Sequence, residues 1–143
     1  MTVLDSFAVL ALLKGEPAAA AVRQLMRDGW CTLTTLGVAE VVDHLMRIVG
    51  VSDEEAALDL AQLGLADVEP LGSAVALRAG LLRAGHYHRR NRAISLADCV
   101  AAETARALDD ALATSDPHLL DTCRDEGINV VVLPDSSGAT WTS

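Results

Sequence analysis

The stretch Thr2-Val3-Leu4-Asp5-Ser6-Phe7-Ala8-Val9-Leu10-Ala11-Leu12-Leu13 decides how the chain is read. It opens with β-compatible apolar residues, breaks at an acid followed by a small hydroxyl residue, and continues as an apolar run that reads as a buried helix. A carboxylate at the carboxyl end of a buried strand lies where open α/β sheets place their ligand sites. Asp5 is therefore the first candidate corner of an active site. What matters next is which other acids reach the same edge.

Strand and helix signals alternate over the remainder. Glu16-Pro17 opens a helix that Gly29 closes, and residues 30–35 (Trp-Cys-Thr-Leu-Thr-Thr) read as a strand. The next helix carries Val38, Val41, Val42, Leu45, Ile48 and Val49 on one face, with Glu40, Asp43, His44 and Arg47 on the opposite stripe. Ser52-Asp53-Glu54-Glu55 is a capping box for a helix ending near Gly64. Residues 67–71 form a short strand stopped by Pro70, and Ser73 caps an Ala/Leu-rich helix that ends at Gly85. Ser95 to Leu108 is a helix, Asp110 to Thr114 a strand, and Asp116-Pro117 opens a helix ending at Gly127. Asn129 to Leu133 is the last strand, stopped by Pro134. The alternation implies an α/β fold: a three-layer domain with a central, mostly parallel five-stranded sheet flanked by helices. It occupies residues 1–134, and the Ser/Gly-rich residues 135–143 are expected to be a flexible tail.

With 143 residues the chain makes one domain with a substantial core. Apolar residues are 51% and aromatics 3%, so Leu, Val and Ala must fill that core. No apolar run reaches membrane-spanning length and no secretory signal is visible, which points to the cytoplasm. Cys31, Cys99 and Cys123 are odd in number and without a C-x-x-C, against a disulfide framework or structural zinc. A net charge of −9 excludes a whole-surface nucleic-acid clamp. It does not exclude a nucleic-acid enzyme, because divalent cations reverse the local sign at an acidic site.

Four acids stand out, and each has an ordinary explanation. Asp5 and Asp116 are good helix N-caps, Asp98 completes a capping box with Ser95, and Glu40 suits a solvated helix face. As a set they are harder to dismiss. Each lies just after a strand or in the first turns of the following helix, and in a parallel sheet those positions share one edge. Four acids there would repel one another unless a cation intervened. Hard oxygen ligands suit Mg²⁺ or Mn²⁺, and the chemistry such a site supports is hydrolysis of a phosphodiester. Helix N-termini at that edge also favour phosphate.

The motifs Val3-Leu4-Asp5-Ser6, Thr35-Leu36-Gly37-Val38-Ala39-Glu40, Leu96-Ala97-Asp98-Cys99-Val100-Ala101-Ala102 and Leu112-Ala113-Thr114-Ser115-Asp116 come in this order across nearly the whole chain. In this the sequence resembles the PIN-domain family, in particular the VapC-type toxin ribonucleases. The resemblance implies a metal-dependent endoribonuclease, the toxin of a type II toxin–antitoxin pair, homodimeric and neutralised by a cognate antitoxin. It implies catalytic and metal-site roles for Asp5, Glu40, Asp98 and Asp116, with Ser6 and Thr114 in supporting positions. Some family members carry a further acid shortly after the last motif. Here Pro117, His118 and Leu119 stand in that stretch, and Asp121 is the nearest substitute.

The segment His86-Tyr87-His88-Arg89-Arg90-Asn91-Arg92 is the one basic loop of an acidic chain. Arginine pairs with phosphate through its planar fork, and Tyr87 or the histidines can stack on unpaired bases, so Arg89, Arg90 and Arg92 are candidate RNA contacts. The alternative is a solvated loop. His44 and His118 read as surface or capping residues, and Cys99 as a packed thiol rather than a nucleophile. Two other functions share the acid pattern: a receiver-like Mg²⁺-binding phosphoacceptor domain, and a catalytically inactive PIN-like binding module. The first usually has adjacent acids after the first strand and a lysine after the last. This chain has Ser6 and Pro134 at those places.

Overall fold

A computed structural model describes residues 1–67 and 70–143 of the chain. The elements run β1 (Thr2–Leu4), α1 (Ser6–Lys14), α2 (Ala19–Asp28), β2 (Cys31–Leu33), α3 (Thr35–His44), α4 (Asp53–Gln62), α5 (Ser73–His86), α6 (Leu96–Leu108), β3 (Leu112–Thr114), α7 (Pro117–Glu126) and β4 (Val130–Val132). A π-helical turn, Leu45–Val49, extends α3 and ends at Gly50, whose φ of 91° suits glycine.

The sheet order is β2-β1-β3-β4 and every pairing is parallel. Leu4 stands opposite Leu33 on one side and Ala113 on the other, and Thr114 is paired with Val132. All four strands therefore deliver their carboxyl ends to one edge. A parallel sheet needs cover on both faces. Val3 and Leu112 face α5, α6 and α7, where Ala79, Leu82, Val100, Ala102 and Leu119 are buried. The adjacent Leu4 and Ala113 face the other way, against Val9, Val22, Val41 and Ala56 of α1 to α4. Each buried Leu or Val contributes about 1.5–3 kcal/mol. The alanines let α6 lie close to the sheet.

Five strands were expected, but among the described residues the sheet has four. Ala66 makes a single parallel bridge to Thr32, with its N–H donating to Cys31 O at 2.8 Å and its carbonyl accepting Thr32 Oγ1 at 2.8 Å. Pro70, with no N–H to donate, follows soon after. Val68 and Glu69 of the expected strand lie outside the described residues.

The apolar face of α3 is also only half used. Val41 and Leu45 are buried, whereas Val38, Ile48 and Val49 are exposed. The tail makes one turn of its own and one side-chain contact with α7. Asp135 Oδ1 closes a turn by accepting the N–H groups of Ser137 and Ala139, and Trp141 Nε1 donates to Asp121 Oδ1 at 3.0 Å. Among the described residues, no helix is long and apolar enough to cross a membrane.

Candidate metal and active site

Asp5 follows β1 and caps α1: its Oδ1 accepts the Ala8 N–H at 2.8 Å. Asp116 follows β3 and caps α7, its Oδ1 accepting the N–H groups of His118 and Leu119 at 2.8 and 3.3 Å, with Pro117 at the first helical position. Asp98 sits in the first turn of α6. Its Oδ2 accepts the Ser95 N–H at 2.9 Å and its own N–H donates to Ser95 Oγ at 3.0 Å, which completes the capping box. The capping explanation of all three acids is thus correct as far as it goes. Each cap engages one carboxylate oxygen, and among the described residues the second accepts no backbone N–H.

Glu40 is different: it is exposed on α3 and caps nothing. Its position is fixed from the helix start, where Thr34 Oγ1 accepts the Gly37 N–H at 2.9 Å. Gly37 permits close approach to the sheet, since a Cβ there would lie 2.6 Å from Leu33 Cδ1. This anchoring pair, Thr34 and Gly37, is not evident from the acid pattern. Its signal is a Thr three residues before a Gly at a helix start.

The electrostatics join the four acids. Burial, reinforced by the charges of Asp98 and Asp116, pushes the Asp5 carboxyl up to about 7 against the opposing hydrogen bonds of Thr114 and Ala8. Burial also raises Asp98, and Asp116 and Glu40 add to it, despite the Ser95 hydrogen bonds. Asp5 thus feels Asp98 and Asp116, and Asp98 feels Asp116 and Glu40. Among the described residues, no three acidic, His or Cys side chains are drawn together as a metal-holding group. The donor set is nonetheless all carboxylate oxygen and electrostatically frustrated, which fits a hard divalent cation. It is a prearranged field of charge, not a closed cage.

Thr114, buried at the end of β3, accepts the Asp116 N–H at 3.1 Å and lies beside Asp5. Ser6 is half-buried in the first turn of α1 and makes no side-chain hydrogen bond among the described residues. Asp121 is turned to Trp141 and to Arg124, which lies 3.2 Å away, and so does not join the cluster. Cys99 is buried, its thiol pushed up to about 12 by burial and by Asp98, and is a packing group.

The basic loop divides. Arg89 and Arg90 are exposed and, among the described residues, form no ion pair. Arg92, expected beside them as an RNA contact, is instead folded onto α7. Its guanidinium donates to Asp125 Oδ2 at 3.0 Å and Thr122 Oγ1 at 3.2 Å. His86 Nε2 lies 2.6 Å from Glu126 Oε1, which Arg106 shares through the other oxygen, so His86 belongs to a structural ion network.

The profile of the PIN domain matches residues 2–125. Among solved structures, a toxin–antitoxin complex from Klebsiella pneumoniae superposes with a TM-score of 0.60 at 14% identity, covering 81% of this chain and 87% of that one. VapBC2 from Rickettsia felis bound to a promoter DNA fragment gives 0.66 at 16% identity, with 91% and 96% covered. FitAcB from Neisseria gonorrhoeae gives 0.66 at 17% identity over the same shares, 91% and 96%. Among curated proteins no significant sequence match is found. At these identities the superpositions speak to fold, and the profile match, spanning all four acid-bearing motifs, speaks to kinship: the chain belongs to the PIN-domain family.

Proposed function

We propose that this protein is a metal-dependent endoribonuclease acting as the VapC-like toxin of a type II toxin–antitoxin pair. What supports the reading is the linked set of acids: Asp5 and Asp116 follow the adjacent strands β1 and β3, both act on or with Asp98, and Asp98 also feels Glu40. PIN domains are generally nucleases, and two of the structural neighbours are a toxin–antitoxin complex and a VapBC assembly, which supports the toxin role.

Asp5, Asp98, Asp116 and Glu40 would hold Mg²⁺ or Mn²⁺, which when bound supplies charge neutralisation and an activated water. The chain's own contribution is to bind and orient. Thr114 and the α1, α6 and α7 caps hold the carboxylates in place. The first N–H groups of those helices give the edge a positive dipole end for phosphate. An antitoxin would inhibit by inserting an arginine or lysine among the acids, and the active form would be a homodimer.

The absence of a closed three-ligand group among the described residues favours one alternative, an inactive PIN-like binding module. The receiver-like alternative has no support beside the PIN-domain match. One experiment separates the first two. Wild type, Asp5→Asn and Asp98→Asn are incubated with a tRNA and rRNA pool in Mg²⁺ or Mn²⁺, and Mn²⁺ binding is measured by calorimetry. Cutting and Mn²⁺ binding lost together in both variants establish the nuclease. A folded wild type that neither binds Mn²⁺ nor cuts is the inactive module.

A further inference from the structure

The four-residue turn His88 to Asn91 is closed as a small hairpin. His88 and Arg92 exchange backbone hydrogen bonds of 3.0 and 2.9 Å. His88 Nδ1 accepts the N–H groups of Arg90 and Asn91 at 3.2 and 3.1 Å. The turn is then fastened to α7 at two points. Arg92 grips Thr122 and Asp125, and the His118 ring nitrogen Nδ1 lies 3.1 Å from the Asn91 carbonyl. A carbonyl only accepts, so Nδ1 of His118 carries the proton. His118, Thr122 and Asp125 recur at spacings of four and three, one stripe of the helix.

His118 is also the residue whose backbone N–H donates to Asp116 Oδ1 at 2.8 Å. One residue thus links the basic turn to the cap that holds a candidate metal ligand. From the other end, Ser95 and its partner Asp98 follow Arg92 by three and six residues. The turn is thus joined, through His118 on one side and the short run to Ser95 on the other, to the residues that hold two of the four acids. At the tip of the turn Arg89 and Arg90 are exposed and, among the described residues, pair with no carboxylate, in a chain with 20 acids and 11 Lys and Arg. A solvated loop has no need of such fastening.

We infer that the Tyr87–Arg92 hairpin is a pre-positioned grip for the backbone of single-stranded RNA, with Arg89 and Arg90 as the phosphate contacts and His118 and Arg92 as positioning residues that hold it beside Asp116. The inference rests on the nuclease reading for its choice of ligand. Two arginines on a fixed turn meet successive phosphates without first losing loop entropy, and their planar forks match phosphate oxygens. Without His118 the turn keeps its internal hydrogen bonds but loses its register with the acids.

The test measures binding of a fluorescein-labelled 16-nucleotide RNA of mixed sequence to the Asp5→Asn protein across salt concentrations, and kcat and KM on the same RNA in the otherwise wild-type chain. With both Arg89→Ala and Arg90→Ala, binding falls roughly tenfold or more and the log–log salt slope shrinks by about 1.4, the value for two single-strand phosphate contacts. His118→Ala raises KM with little change in kcat. His118→Asn, whose amide N–H takes the place of Nδ1–H, restores KM. Unchanged affinity and slope in the double arginine variant overturn the grip. A KM that Asn fails to restore, in a variant melting like wild type, overturns the positioning role. Arginine-dependent RNA binding by a wild type that never cuts leaves the grip standing and removes the nuclease reading instead.

Discussion

The hydroxyl of Thr114 accepts the Asp116 backbone N–H at 3.1 Å while lying beside the Asp5 carboxyl, so one buried oxygen joins the two strand ends that bear acids. Replacing it with an isosteric methyl leaves a donor without a partner next to a buried acid. Thr114→Val is expected to lower stability by about 1–3 kcal/mol. Thr114→Ser should recover most of the loss. Urea unfolding of the three proteins decides it, and equal midpoints for the wild type and Thr114→Val would remove the oxygen from the account.

The pH dependence of the metal-free protein has an unusual sign. Asp5 titrates at about 7 in the fold and near 3.8 unfolded, so between those values the native state holds a proton that the unfolded chain has released. Stability must then fall as pH rises through this window and level off above it. Asp98 is shifted in the same direction. Melting in EDTA from pH 5 to 8 should show a declining Tm, flattened in Asp5→Asn. Added Mn²⁺ should raise Tm more at pH 8 than at pH 5, because the cation competes with the proton. A Tm rising over this range in EDTA would contradict the burial of Asp5.

Gly37 lies where any side chain strikes the core. A Cβ would stand 2.6 Å from Leu33 Cδ1 and 2.9 Å from its Cγ, and Leu33 is itself buried. Gly37→Ala is expected to cost about 1–3 kcal/mol through overpacking. Pairing it with Leu33→Ala should be less damaging than the sum of the single changes, as a double-mutant cycle would measure. Additive losses would mean that the two positions do not collide.

Glu103 is a buried acid on α6 lying 3.0 Å from Arg106 and 3.5 Å from Arg78. Both arginines are partly exposed, so the attraction is screened and the full penalty of a buried broken pair does not apply. Glu103→Gln should cost about 1–2 kcal/mol and leave RNA cleavage unchanged. A loss of cleavage at full stability would place this network in the chemistry.

The tail contact is open to a spectroscopic check. Trp30 is 71% exposed, whereas Trp141 packs near Arg124 and donates to Asp121. In a Trp30→Phe chain the remaining tryptophan should emit to the blue of free indole and shift red with Asp121→Ala. Emission at the wavelength of a free tail in both would show that the contact does not persist in solution.

The parts of this molecule legible in the sequence are those decided by neighbours in the chain. The Ser95–Asp98 box, the Asp116-Pro117 start and the apolar β-branched run at 130–132 depend on residues within a turn of one another. Asp5, Glu40 and Asp116 could be gathered because parallel strands put the helix starts that follow them at one edge, whereas Asp98 opens α6, which follows α5 and not a strand. What the sequence hid depends on distant partners. Arg92 meets Thr122 and Asp125 across 30 and 33 residues, and no local pattern separates that anchor from the exposed Arg89. Likewise the α3 periodicity marks a face that can be buried, while Ile48 and Val49 remain exposed because nothing among the described residues covers them. Of the strand expected at 67–71, Val68 and Glu69 lie outside the described residues, and the pairing among the described residues near it is the bridge from Ala66 to Thr32.

On the proposed nuclease reading, three of the acids would serve both as caps and as metal ligands, which bears on how such a gene can decay. Asp5, Asp98 and Asp116 each hold a helix end, so a descendant freed from its chemistry would still be selected to keep a capping residue there, and aspartate serves as well as any. Inheritance of those three letters therefore says little about whether a sister chain still works. Glu40 has no such second employment, being exposed and capping nothing. On that reading it is the position where drift would first register lost activity, and the one to inspect when sorting living members from relics.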